Sequence, residues 1–336
     1  MDPASFTDDL NRLPERLGAL AELLDAGLPG LEEAERIGAV ASARAGRPPR
    51  VLILGMGSSN YAGDAVAREA REAGGSVVAE LASTRSLPAA ADDLVVIAVS
   101  ATGGSVEVLD AVGAYTGTGR LIAVTNRAGS KLEAVADLTI GQHAGVEASG
   151  IACRSFRHTL VVLRALVAAL HDPAHPVRAR LGGLPELARA GAAANAALLE
   201  TAGDWLAPVT EALTAPMGAW VLAPVERFSS SRQSALMMRE VPRRPAFASE
   251  TGDWSHVDVY LTKTQDYRAL VYAGSAWDAQ AIDWMTQRGS TWVSVAGELP
   301  GAAAAVRFPG DEDPRVAQLA EVLVAERVAA RWFELG

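Results

Sequence analysis

Ser100-Ala101-Thr102-Gly103-Gly104-Ser105 follows the apolar run Leu94–Val99 directly and leads straight into the helically spaced segment Val106–Val112. A continuous apolar run of this length reads as a strand buried on both faces. A turn of small hydroxyl residues and glycines that then opens a helix leaves backbone N–H groups pointing outward. An anion fits there. The hydroxyls of Ser100, Thr102 and Ser105 can donate to phosphate oxygens, and Gly103 lets the backbone approach closely. The helix end adds about 0.3–1 kcal/mol of preference for negative charge. Standing alone, the loop would also read as a Ser/Thr-rich helix cap with no ligand.

A second strand, turn and helix lie upstream. Val51–Leu54 leads into Gly55-Met56-Gly57-Ser58-Ser59-Asn60, and Ala62–Ala73 continues as a helix. Two such loops, at the carboxyl edge of one parallel sheet, converge on a single ligand. A dinucleotide fingerprint is the rival reading, and Glu80 stands where a ribose-binding acid is expected; yet Asn60 occupies the third glycine position. No Gly-Lys-Ser/Thr occurs, so a nucleoside-triphosphate loop has no support.

At 336 residues the chain has room for about two domains. It is 49% hydrophobic and 21% charged, as ordinary globular proteins are. A formal charge of -10 argues against nucleic acid as a partner, because phosphate-backbone binding needs clustered Lys and Arg. An anionic ligand then depends on neutral hydroxyls, backbone amides and a few local arginines. The single cysteine, Cys153, rules out an internal disulfide and reads as a packing residue. Met1–Leu10 lacks the basic and apolar blocks of a secretion signal, and the longest apolar candidate, Thr159–Leu170, is short and interrupted by Arg164. No membrane association and a cytoplasmic location are therefore expected. His171 and His175 flank Pro173, and no Cys or carboxylate cluster has ligand spacing, so neither metal nor cofactor is expected.

Apolar periodicity predicts an opening helical segment over Thr7–Ala39, broken at Gly27–Gly30. Strands follow at Val51–Leu54, Ser76–Leu81, Leu94–Val99, Leu121–Thr125 and Leu138–Ile140, and the helix Arg154–Leu170 closes this doubly wound parallel sheet. After a helical connector the alternation restarts at Ala219–Leu222, with strands at Ala246–Ser249, Tyr267–Ala273 and Thr291–Val295 and a final helix from Pro314 to about Phe333. The expected division is a helical segment (1–39), a first α/β domain (40–180), a connector (181–210) and a second α/β domain (211–336). The similar element order suggests an internal duplication. The second copy has Val225-Glu226-Arg227 where the first has Gly57-Ser58-Ser59, and Glu226 repels phosphate.

Gly57-Ser58-Ser59, the Ser100-x-Thr102-Gly103-x-Ser105 loop, and Gly145-Val146-Glu147 leading to Ala152-Cys153-Arg154 resemble the tandem sugar isomerase (SIS) domains of the glucosamine-6-phosphate synthase isomerase half and its relatives. The resemblance implies two flavodoxin-like parallel-sheet subdomains, each a three-layer αβα sandwich. It also implies that Ser58, Ser59, Ser100, Thr102 and Ser105 hold a sugar phosphate, with Gly57, Gly103, Ala152 and Arg154 as further candidates near the substrate. Arg239-Glu240 and the segment Gly252-Asp253-Trp254-Ser255-His256, whose histidine lies sixteen residues after Glu240, match the family's catalytic segments. By that likeness Glu240 shuttles a proton between C1 and C2 of the open-chain sugar and His256 assists ring opening. The residue types suit these roles, since a desolvated carboxylate and an imidazole both reach a pKa near neutrality. Taken singly, they also read as a solvated glutamate ending a helix and a surface histidine.

The departures narrow the reading. Met237 stands where the family has a catalytic lysine, Gln233 where it has a glutamate, and Ala101 replaces the glutamine of the loop. Val257-Asp258 follows the histidine, and the chain ends Phe333-Glu334-Leu335-Gly336 without the family's Lys-containing tail. With no amino-terminal cysteine nucleophile, no glutaminase activity is expected. The implied activity is that of a phosphosugar isomerase, or of an amino-sugar-phosphate deaminase or deglycase cleaving a C–N bond. The alternative is a sugar-phosphate sensor without turnover. The expected partner is a phosphorylated sugar or amino sugar, and the resemblance implies a homodimer with the site at or near the subunit interface.

Overall fold

In the computed structural model, which describes residues 2–336, the first five apolar runs become β1 (Arg50–Gly55), β2 (Val77–Leu81), β3 (Leu94–Val99), β4 (Leu121–Thr125) and β5 (Leu138–Gly141). They form one parallel sheet in the order β2-β1-β3-β4-β5. The chain runs from β1 out to β2 and then returns across β1 to β3, so the strand order reverses between β1 and β3. Crevices open at such a point beyond the carboxyl ends of the strands.

Because side chains alternate across a strand, the sheet sorts its apolar residues onto two faces. Leu52, Leu54, Val96, Ala98, Leu121 and Ala123 pack with Val108, Ala111 and Val112 of the helix Val106–Val112. On the other face a Cβ at Gly63, in the helix Ser58–Glu72, would lie 2.9 Å from Ile53 Cγ2. That helix packs against the helix Arg154–Ala169, and Arg164 Nε donates to Glu69 Oε2 at 2.8 Å in a buried ion pair between them. These elements belong to a compact unit comprising Arg16–Glu147 and Ala152–Ala188.

A second compact unit comprises Met1–Glu15, Ala148–Ile151 and Arg189–Gly336. Its strands are β6 (Ala219–Ala223), β7 (Ala246–Glu250), β8 (Arg268–Tyr272), β9 (Thr291–Val295) and β10 (Ala304–Val306). Their parallel order, β10-β9-β8-β6-β7, repeats that of the first sheet strand for strand. Here the core is aromatic: Trp220 stacks on Tyr267 at 4.2 Å, and Trp254 Nε1 donates to the Tyr267 hydroxyl at 2.6 Å.

Two segments differ from the periodicity reading. The opening helical segment is three helices, Pro3–Asn11, Leu13–Ala26 and Leu31–Ala45, with the expected break where Gly27 and Gly30 take φ of 95° and 89°. The final helix is two, Pro314–Ala320 and Val322–Leu335, separated at Glu321, whose fully buried carboxylate pairs with Arg227. Among the described residues no helix is long and apolar enough to cross a membrane.

Gly38, in the helix Leu31–Ala45, sits where a Cβ would overlap the Leu170 backbone, 2.7 Å from its carbonyl carbon and 2.8 Å from its Cα. Gly18, in the helix Leu13–Ala26, has open space around it. In urea unfolding, Gly38→Ala is expected to lose about 1–3 kcal/mol. Gly18→Ala is expected to gain about 0.5–1 kcal/mol.

Candidate functional site

Each loop of the candidate cradle is held by the strand before it. At the end of β1, Gly57 takes φ 50° and ψ −128°, a conformation open to glycine, and the helix Ser58–Glu72 starts at the next residue. Ser58 and Ser59 therefore lie in the first helical turn, both half-buried, with Ser59 N donating to Met56 O at 3.1 Å. The sequence placed the start of this helix at Ala62; the glycine turn brings it four residues earlier.

The second loop follows β3, the neighbour of β1. Its carbonyls are turned inward and occupied: Ser100 O accepts from Gly103 N at 2.9 Å, Ala101 O from Asn126 N at 3.0 Å, and Gly103 O from Leu132 N at 3.0 Å. Thr125 Oγ1 also donates to Ala101 O, at 3.3 Å. These bonds commit three of the loop's acceptors to protein donors. Ser100 is buried, Thr102 is exposed, and Ser105 is half-buried, its hydroxyl donating to Glu107 Oε2 at 2.9 Å. That bond and the backbone N–H of Glu107 hold the Glu107 carboxyl below the usual range. Gly103 takes φ 61°, and a Cβ there would overlap Ser130 Oγ and Cβ and come within 3.2 Å of Thr125 Oγ1.

The structure thus brings Ser58, Ser59, Ser100, Thr102 and Ser105 to the same edge of the first sheet, on adjacent strands. It also shows what periodicity missed: Thr125, the last residue of β4, and Asn126 and Ser130 after it support the loop. Asn126 Nδ2 donates to Gly145 O at 2.7 Å and its Oδ1 accepts from Ala144 N at 3.0 Å, which ties in the loop after β5. A polar Thr-Asn pair ending an apolar strand was the available signal.

Gly145-Val146-Glu147 acts locally. Glu147 Oε1 accepts from Arg154 N at 2.6 Å and Ser155 N at 3.0 Å, and Oε2 from Ser155 Oγ at 2.7 Å, so the carboxylate caps the helix Arg154–Ala169. Burial still pushes its carboxyl above the usual range. Arg154 is only 1% exposed and its guanidinium bonds to Val146 O; Ala152 is half-buried in the preceding loop. Among the described residues no group of three or more His, Cys, Asp or Glu side chains could hold a metal ion.

Glu240 and His256 belong to the second sheet. Glu240 is the last residue of the helix Phe228–Glu240; it is exposed, and the protein packed beside its carboxyl pushes it above the usual range. Met237, three residues earlier, is fully buried. The helix starts beyond the carboxyl end of β6 and runs back along the strand, so Glu240 lies at the edge where the strands begin. His256 follows β7 and the short helix Thr251–Trp254 at the other edge; it is exposed, its N–H donating to Asp253 O at 2.8 Å. Within this unit the two are not neighbours.

The hydroxyl loops and both central strands of the first sheet lie within one recognised segment. Residues 47–169 match the SIS domain. The chain is also 30% identical over 270 residues to glutamine–fructose-6-phosphate aminotransferase (isomerizing) of Aeropyrum pernix, a match that covers 76% of this chain and 41% of that protein. The chain spans less than half the length of that relative. Among solved structures, the C-terminal domain of glucosamine-fructose-6-phosphate aminotransferase from Francisella tularensis is similar at a TM-score of 0.80 and 13% identity, covering 98% of this chain and 96% of that one. Tagatose-6-phosphate ketose/aldose isomerase from Escherichia coli is similar at 0.78 and 16% identity, covering 100% and 96%. At these identities the solved structures establish the fold: α/β, with two five-stranded parallel sheets and flanking helices.

The hydroxyl loop after β3 leaves little room for a side chain at Gly103. Gly103→Ala is expected to lower stability by about 1–3 kcal/mol in urea unfolding. Gly104→Ala, whose nearest neighbour would be Thr102 Oγ1 at 3.9 Å, is expected to stay within about 0.5 kcal/mol of wild type.

Proposed function

We propose that this chain is a phosphosugar enzyme of the isomerase or deaminase kind, its SIS domain gripping the phosphate of a hexose or hexosamine phosphate. One observation carries the reading: two hydroxyl-rich loops that leave the adjacent strands β1 and β3 lie at one edge, with three carbonyls of the second already bonded to protein donors. Ser58, Ser59, Ser100 and Thr102 are the phosphate donors. Ser105 joins them by giving up its bond to Glu107. The match to the SIS domain and the activity named for the Aeropyrum pernix relative support a sugar phosphate over other anions.

Glu240 is the base. Its raised carboxyl takes the proton from C2 of an open-chain aldose phosphate and returns it to C1 through an enediolate, which yields the ketose. On a 2-amino sugar the same transfer gives an imine at C2, which water hydrolyses with release of ammonia. His256 opens the ring. In this reading His256 serves the site of a second copy and the working form is a dimer; its place at the opposite sheet edge from Glu240 supports that arrangement. The fully buried Met237, an apolar side chain near the base, favours a second reading, a sensor that binds the sugar phosphate without turnover.

Incubation with fructose 6-phosphate, glucose 6-phosphate and glucosamine 6-phosphate in D₂O separates the two. Deuterium at C1 or C2, or released ammonia, is expected, with Glu240→Gln abolishing exchange and keeping the ligand bound. Ser100→Ala with Thr102→Ala is expected to weaken binding about tenfold or more, as two lost hydrogen bonds to a charged group imply. Tight binding with no exchange on any ligand identifies the sensor; no binding of any sugar phosphate overturns the proposal.

A further inference from the structure

The second sheet has its own crevice, with the opposite chemistry. Its strand order reverses between β6 and β8, and at that point a cleft of about 480 Å³ opens at the carboxyl edge. One wall comes from Glu226 and Arg227 after β6, the other from Gly274–Trp277 after β8, with Glu250 and Glu312 at the margins. Its position matches that of the hydroxyl loops on the first sheet, yet its lining holds no serine pair and no Gly-Gly turn.

The charges do not cancel. Arg227 is consumed by Glu321 and by Ala273 O, and Asp311 is taken by Arg307 at 2.5 and 2.8 Å. Glu226 and Glu312 are exposed; Glu226 holds no ion pair among the described residues, and Glu312 lies within the field of Arg307. Below the wall lies Asp278, 8% exposed. Its Oδ2 accepts from the N–H groups of Gly274 and Ser275, both lining residues, at 2.7 and 3.0 Å, while its Oδ1 is buried with no hydrogen-bond partner. Asp278 lies outside the lining and its Oδ1 is enclosed, so it shapes the wall through its bonds to Gly274 and Ser275. Trp277, 56% exposed, adds an aromatic surface. A Cβ at Gly252 would be 2.8 Å from Trp277 Cδ1 and 3.1 Å from Glu250 Oε2, so the indole and the Glu250 carboxylate adjoin.

An indole beside unneutralised carboxylates suits an organic cation. We propose that this cleft binds an organic ammonium, a protonated amine on a short apolar body: the ammonium donates to the carboxylates and the apolar part lies on Trp277. The acidic lining repels phosphate esters, and the carboxylates do not converge as a metal site requires. The proposal stands on the second sheet alone, independent of the sugar-phosphate reading of the first.

Calorimetric titration of the full chain with benzylamine hydrochloride and with benzyl alcohol tests it, with tryptophan fluorescence as a second readout. Benzylamine is expected to saturate below about 10 mM, and benzyl alcohol to bind at least about tenfold more weakly, the contrast that a cation near an aromatic and carboxylates implies. Glu226→Gln with Glu312→Gln, both exposed positions where folding is not at stake, is expected to weaken benzylamine about tenfold. Trp277→Phe is expected to remove the benzylamine-induced fluorescence change. Inorganic phosphate is expected not to compete. Equal binding of the amine and the alcohol, unchanged affinity in the double variant, competition by phosphate, or no saturation below about 50 mM each overturns the proposal. None of these results depends on whether the first sheet binds a sugar phosphate.

Discussion

The adjacency of β1 and β3 is the constraint on which the rest depends. Parallel strands paired in register from Arg50 with Leu94 to Leu54 with Ala98 end together, so the two loops that leave them have to share one edge. The backbone then decides what that edge offers. With the carbonyls of Ser100, Ala101 and Gly103 bonded within the protein, the hydroxyls of Ser100 and Thr102 stand among the loop's remaining polar groups. In a chain of net charge -10 this is how an anion can be held: local amides and hydroxyls act at short range, where the overall field matters little.

The same topology produces a different site when the loop residues change. Both sheets follow one strand order, and both open at the strand next to the reversal. On the first sheet the loops are Gly57-Ser58-Ser59 and Ser100–Ser105; on the second they are Val225-Glu226-Arg227 and Gly274–Asp278. Donors give way to carboxylates and an indole. A fold of this kind supplies a crevice, and the loop side chains set the sign of the charge that it accepts.

Much of this was legible in the sequence because buried parallel strands are written as continuous apolar runs. Leu94–Val99, Leu121–Thr125 and Thr291–Val295 have the bounds read from hydrophobicity alone. Short edge strands are harder: β10 is three residues in the alanine-rich stretch Ala304–Val306, too brief for any period to show. The hydroxyl loops were visible from residue type and place. Their supports, Thr125, Asn126 and Ser130, were not, because Thr125 and Asn126 act through hydrogen bonds to residues about twenty positions away and Ser130 by lying against Gly103. The separation of Glu240 from His256 was equally hidden, since sixteen residues of sequence include a strand that crosses the whole sheet. Likewise, nothing in the local pattern around Asp278 shows that its second oxygen is left without a partner.

The most direct measurement of the central claim is amide hydrogen exchange of the full chain with and without fructose 6-phosphate. The account predicts slower exchange concentrated in two segments, 56–60 and 100–105, because a phosphate held between the two loops covers both and holds them closed. Protection elsewhere with both segments unchanged, in the presence of bound sugar phosphate, would contradict it.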